Sequence, residues 1–212
     1  MIKSVLFDFD GTIADTLPLV VSSLQKALYP IYKRRLSYEE IAKTFGPCEE
    51  GSIKLLAPDN FEETMALFYD YYQQDDIDCN CVKAFSGIKN LINKLKQRGL
   101  IVGLVTGKGE FTTKNSLDKY GLKDIFDVIK TGSIEKSIKC ECILEVIEQY
   151  KLKPQEVYYV GDMPSDIDAA RKAGCKIISV LYADIRNETV IREKAPDAIC
   201  YSVGELEAFL CK

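Results

Sequence analysis

The chain has 212 residues, 47% hydrophobic and 28% charged, with a net charge of −4. This is the composition of a soluble globular protein, long enough for a core domain and a smaller lobe. No basic stripe speaks for a nucleic-acid partner, no apolar run approaches the ~20 residues of a membrane span, and the total absence of histidine excludes Ser-His-Asp and Cys-His chemistry and histidine-bound metals.

In chain order, the first strand-like run is VLFDF at 5–9, and it ends in Asp8 and Asp10, followed by Gly11 and Thr12. On an extended segment two such side chains share one face, roughly 7 Å apart. The short apolar run with a single lysine before it is unlike a signal peptide, so a cytoplasmic location is expected. From 16 to 82 there is no strand pattern, only helical ones over 17–29, 38–44, 49–56 and 60–74. Phe61, Met65, Phe68 and Tyr72 recur at helical spacing in the last and read as core. Roughly 65 residues is too long for a loop between two strands, so 16–82 is expected to form a lobe of its own.

Five further strand-like runs follow: 100–106, 127–131, 157–162, 176–182 and 197–201, with helical patterns at 87–99, 140–151 and 165–173 between them. Ser165 is the expected N-cap of the last helix, and Asp15 that of helix 17–29. Strands alternating with helices predict a doubly wound, Rossmann-like parallel sheet, an α/β core of 1–15 and 83–212 with an inserted all-helical lobe. Eight cysteines include the Cys-x-Cys pairs 79/81 and 140/142, but no Cys-x-x-Cys. Reduced, mostly buried thiols are expected rather than a thiolate-metal site.

Ligands of open α/β sheets sit at the carboxyl ends of the strands. Here those ends carry Asp8 and Asp10, then Thr106-Gly107-Lys108, then Asp162 with Asp166 four residues on. Like charges about 4 Å apart repel by about 4 kcal/mol at an effective dielectric of 20. Several acids in one crevice therefore call for a cation, and an all-oxygen donor set suits Mg²⁺.

DFDGTIAD, VTG, a later lysine and GDMPSD together resemble the four motifs of the haloacid dehalogenase superfamily. They run in the right order along the whole chain, with the insertion where that family carries a helical cap, and the phosphoglycolate-phosphatase-like group is the most similar. The resemblance implies Asp8 as nucleophile, forming an aspartyl-phosphate, and Asp10 as acid and base. It further implies Mg²⁺ on Asp8, the Asp10 backbone carbonyl, Asp162 and Asp166, and phosphate contacts from Gly11, Thr12, Thr106 and Gly107. The third-motif lysine is Lys136 or Lys139. Family members often have Lys-Pro there, which this chain lacks, and Lys139-Cys140-Glu141-Cys142-Ile143 resembles the variant in which the lysine opens the helix. In the cap, Lys54 and Lys43 are candidate contacts to a second anionic group of the substrate, and Arg34 and Arg35 are further cap cations.

The acid two residues after the nucleophile implies a phosphatase acting on a small phosphomonoester, phosphoglycolate-like or a sugar phosphate. A β-phosphoglucomutase-like mutase shares the same acids. A non-catalytic, receiver-like Mg²⁺ domain is the alternative from another class. Oligomeric state is left open.

Overall fold

A computed structural model describes residues 1–78 (side chains to 74), 83–183 and 188–212. Ser4–Phe7 form β1, and four helices follow: Leu17–Tyr32 (α1), Tyr38–Ala42 (α2), Glu49–Leu56 (α3) and Phe61–Asp78 (α4). The chain then alternates through Ile88–Gln97 (α5), Ile101–Val105 (β2), Glu110–Lys119 (α6), Val128–Lys130 (β3), Lys139–Gln149 (α7) and Val157–Gly161 (β4). It closes with Pro164–Lys172 (α8), Lys176–Val180 (β5), Glu188–Lys194 (α9), Ala198–Cys200 (β6) and Val203–Leu210 (α10).

The strands form one parallel sheet in the order β3-β2-β1-β4-β5-β6. β1 lies between β2 and β4, with Phe7 in register with Leu104 and Val160. The residues just past these three strands therefore emerge side by side at one edge, where the strand order reverses. Alternate residues of β1 serve opposite faces. Val5 and Phe7 pack with α5 residues Leu91, Ile92 and Leu95, while Leu6 packs with Ile143, Val146 and Ile147 of α7 and Ile167 of α8. Each fully buried apolar side chain contributes about 1.5–3 kcal/mol, enough to fix a largely polar helix such as α5 on the sheet.

Helices α1–α4 build a separate apolar cluster from Leu24, Leu28, Ile41, Ile53, Phe68 and Tyr72. A core of their own supports our proposal that 16–82 is a cap on a body of 1–15 and 83–212; residue 82 lies outside the described residues, as do Cys79 and Cys81. Cys140 and Cys142 are buried free thiols.

Several local expectations are corrected. β1 stops at Phe7 rather than 9, because the chain folds back at once: the amides of Thr12, Ile13 and Ala14 all point to the Phe9 carbonyl. The first residue of α8 is Pro164 and its N-cap is Met163, not Ser165. Asp166, three residues into the turn, accepts the Met163 amide and supplies the capping oxygen. The N-cap position of α1 is Thr16, and the preceding Asp15 is exposed. Helices α6 and α9 carry too few apolar repeats to be read, and α10, whose Val203, Leu206, Phe209 and Leu210 do repeat at helical spacing, is a further helix not anticipated from the sequence.

Candidate active site

Asp8 continues the line of β1 by one residue. Its amide donates to the Val160 carbonyl at 2.9 Å, which ties it to β4, and its Oδ1 accepts the Phe9 amide at 2.7 Å. Its Oδ2 accepts Lys139 Nζ at 2.8 Å, and the same ammonium donates to Asp166 Oδ1 at 2.5 Å. Of the two lysines left open by the sequence, Lys139 is thus at the acids, because it is the first residue of α7 and that helix begins at the strand ends. Lys136 lies on the surface against Glu141.

Asp8, Asp162 and Asp166 each offer an oxygen within 4.8 Å of the others. The Asp162 and Asp166 carboxyls are pushed above the usual range, Asp162 strongly, by burial first; for Asp162 the neighbouring Asp166 and Asp8 add to it. Burial would lower the Lys139 pKa, but Asp166 and Asp8 outweigh it and hold the ammonium charged. Asp162 Oδ1 is buried with no hydrogen-bond partner. An orphaned carboxylate oxygen in a crowd of carboxylates is what a bound cation relieves, so the residues fit a divalent metal. Two glycines make room for this cluster. A Cβ on Gly11, whose φ is +72°, would stand 2.2 Å from Asp162 Oδ2, and one on Gly161 would stand 2.3 Å from Asp166 Oδ2.

Asp10 has partners of its own, distinct from those of Asp8. Past the fold-back after Phe9 its carboxylate accepts the Thr16 hydroxyl and, at 3.0 Å, Lys108 Nζ. Burial raises the Asp10 carboxyl, with Lys108 pulling the other way. Each of the two acids of the first motif therefore has a lysine of its own, which lowers their mutual repulsion.

Lys108 is 1% exposed, with its ammonium 5.3 Å from the Tyr72 ring centroid and 5.8 Å from that of Phe9. Its second carboxylate is Glu49 Oε1, at 3.2 Å, from the first residue of α3. Glu49 also accepts the Gly109 amide at 2.6 Å and the Thr112 hydroxyl at 2.9 Å. Glu49, Lys108, Thr16 and Thr112 were given no role from the sequence. Lys108 carried one usable sign, its place directly after Thr106-Gly107 at a strand end. The pairing of Glu49 with it spans 59 residues and leaves no periodic trace.

Among the remaining candidates, Thr106 is buried, and its hydroxyl accepts the Lys108 amide at 3.3 Å. Gly107 is half-buried beside it. Thr12 is fully buried, with Oγ1 unpartnered and its carbonyl accepting the Tyr182 hydroxyl at 2.6 Å. Lys54 does not join the cluster. α3 turns 49, 50 and 53 inward and 54 outward, so Lys54 meets Glu135 at 2.9 Å with half its side chain exposed. Lys43 is exposed, and Arg34 is held by Glu40 on the cap surface.

The helical segment closes directly over the strand ends. Cys48 donates its amide to the Ser133 carbonyl at 2.9 Å, the Tyr72 hydroxyl meets that of Ser116 at 2.9 Å, and Tyr69 stacks on Phe111.

Residues 5–180 match the model of the haloacid dehalogenase-like hydrolase family. A curated relative, the pyrophosphatase PpaX of Halalkalibacterium halodurans, is 29% identical over 97% of this chain and 95% of its own. A predicted phosphatase from Clostridium acetobutylicum has a crystal structure that superposes with a TM-score of 0.75 at 25% identity, covering 100% of this chain and 99% of its own. A predicted phosphoglycolate phosphatase from Haemophilus somnus shares the fold at a TM-score of 0.81 and 22% identity, covering 99% and 98%. No helix among the described residues is long and apolar enough to cross a membrane.

Proposed function

The chain belongs to the haloacid dehalogenase-like hydrolase family, and on that premise we propose that it is a Mg²⁺-dependent phosphatase of small phosphomonoesters that works through an aspartyl-phosphate on Asp8. The observation that carries this reading is that its two leading acids have different partners. Asp8 is gathered with Asp162, Asp166 and Lys139, while Asp10 is turned to Lys108 and Thr16. A nucleophile and a proton carrier need such different surroundings.

Asp8 attacks phosphorus as the bond to the leaving oxygen breaks, and Asp10 gives that oxygen its proton. Asp10 then takes a proton from water, the water oxygen attacks phosphorus, and inorganic phosphate leaves as the Asp8 carboxylate is restored. Mg²⁺ held by Asp8, Asp162, Asp166 and the Asp10 carbonyl would offset the repulsion between carboxylate and phosphate dianion. Lys139 holds Asp8 in place and adds a positive charge beside the transferred group. The Thr106 and Thr12 hydroxyls and the Gly11 and Gly107 amides are the proposed donors to its oxygens, and positioned donors supply most of what phosphoryl transfer needs. Lys54 falls outside this proposal because of its exposed pairing with Glu135.

The substrate is proposed as phosphoglycolate-like or a sugar phosphate, and the PpaX relatives make pyrophosphate a second candidate. The test is phosphate release from a panel of these, with Mg²⁺ and with chelator, by the wild type and Asp8→Asn. Release that survives Asp8→Asn removes Asp8 as nucleophile.

A further inference from the structure

Among the described residues, Glu49 is the one in 16–82 whose carboxylate shares a cation with the proposed acid. Lys108 Nζ stands 3.0 Å from Asp10 Oδ1 and 3.2 Å from Glu49 Oε1. The rest of its surroundings form an anion-holding set: the Gly109 amide on Oε2 and the Thr112 hydroxyl on Oε1, at the start of the ten-residue helix α6. Gly109, the N-cap residue, offers no side-chain cap, and its own amide, one of the orphan donors of that helix end, is taken up by a carboxylate from the other lobe. Glu49 is 7% exposed, so its charge is held away from bulk water.

A second carboxylate stands beside the first. Glu50 is 6% exposed, its Oε1 accepts the Tyr69 hydroxyl at 2.7 Å, and its Oε2 is buried without a partner. A Cβ on Gly109 would lie 2.3 Å from that oxygen, so both glutamates press on the same loop. The cap cations Lys54 and Arg34 are engaged elsewhere, with Glu135 and Glu40.

A leaving group must reach Asp10 to take its proton, and so it arrives beside the Lys108–Glu49 pair. We propose that Glu49 is a specificity-determining residue. Its carboxylate fills the anion-holding set of Lys108, the Gly109 amide and Thr112, and thereby restricts the leaving group to one with no negative charge of its own. The preferred substrates are then phosphate esters of neutral, hydroxyl-bearing compounds. Phosphoglycolate and pyrophosphate, whose leaving groups carry a carboxylate or a phosphate, are disfavoured. This rests on the proposed role of Asp10 and, of the substrates proposed above, selects the sugar phosphate over phosphoglycolate and pyrophosphate.

The experiment compares glycerol phosphate, phosphoglycolate and pyrophosphate by kcat/KM in the wild type, Glu49→Gln and Thr112→Val. The wild type is expected to prefer glycerol phosphate. Glu49→Gln is expected to raise phosphoglycolate and pyrophosphate relative to glycerol phosphate by tenfold or more, whereas Thr112→Val, which loosens the same contact but keeps the charge, leaves the ratio in place. An unchanged ratio in Glu49→Gln, or an equal shift in Thr112→Val, overturns the proposal. Calorimetric binding of phosphoglycolate to Asp8→Asn and to Asp8→Asn/Glu49→Gln, which need not turn over, separates this from the catalytic reading. Loss of phosphate release in all wild-type assays defeats the phosphatase reading. Failure of the double variant to bind phosphoglycolate more tightly than the single one defeats the role of Glu49.

Discussion

Lys139 Nζ bridges Asp8 Oδ2 and Asp166 Oδ1, residues 131 and 27 positions from it in the chain, at 2.8 and 2.5 Å. The lysine side chain is 11% exposed, Asp8 8% and Asp166 not at all. One ammonium is thus the cation the protein itself supplies to three gathered carboxylates.

Removing it should be felt in stability before activity is measured. Lys139→Met leaves buried carboxylates without their partner, and breaking such a pair costs about 3–5 kcal/mol. Urea denaturation in chelator should show a loss of that order. Saturating Mg²⁺ should recover more stability in Lys139→Met than in the wild type, because the metal then neutralises the same acids. Equal recovery in both proteins would separate the lysine from the metal cluster.

Gly11→Ala tests the room left for Asp162. Alanine disfavours a φ of +72° by about 1 kcal/mol, and its Cβ would meet Asp162 Oδ2 at 2.2 Å. Asp162 must then move. Mg²⁺ affinity measured by calorimetry is expected to fall at least tenfold, and phosphate release with it. Unaltered metal binding would show that Asp162 is not a ligand.

Asp10→Asn separates the two halves of the reaction. With an ordinary alcohol leaving group kcat should fall by about 10²–10⁴, the usual contribution of a general acid. Nitrophenolate leaves without a proton, so with nitrophenyl phosphate the variant should give a burst of one nitrophenol per enzyme. Slow turnover should follow, since Asp10 no longer activates water. A steady rate with no burst would place Asp10 outside the second half.

The thiols give a prediction at alkaline pH. Burial pushes Cys48 and Cys175 up to about 12 and Cys200 to about 11, from an ordinary value of 9.0. The folded protein therefore holds these protons more tightly than the unfolded chain. Their stabilising contribution is intact below pH 9 and is lost as pH rises toward 12. Thermal unfolding should show Tm declining over that interval, less steeply in Cys175→Ala. At pH 8 Cys175 should resist alkylation until the protein unfolds.

The sequence disclosed the parts that lie within single segments. The strands could be read because each is a short apolar run, and the site because Asp8, Thr106 and Asp162 all fall where such a run stops. Helix α6 was missed because EFTTKNSLDK buries only Leu117 among large apolar side chains, which sets no repeat. The different partners of Asp8 and Asp10 follow a fold-back in which three amides converge on the Phe9 carbonyl, a turn whose shape is not carried by residue type. Lys54 looked like a substrate contact by charge alone, and only the facing of α3 shows it outward. Lys108 and Glu49 become partners only when two lobes are folded against each other.

That Glu49 completes the first turn of α6 ties the folding of one lobe to the posture of the other. Were the helical lobe to swing away, the Gly109 amide would lose its acceptor and the α6 terminus would be free to fray. Deuterium uptake at that turn would then serve as a gauge of breathing: slow while the lobes stay clasped, quickened by anything that prises them apart.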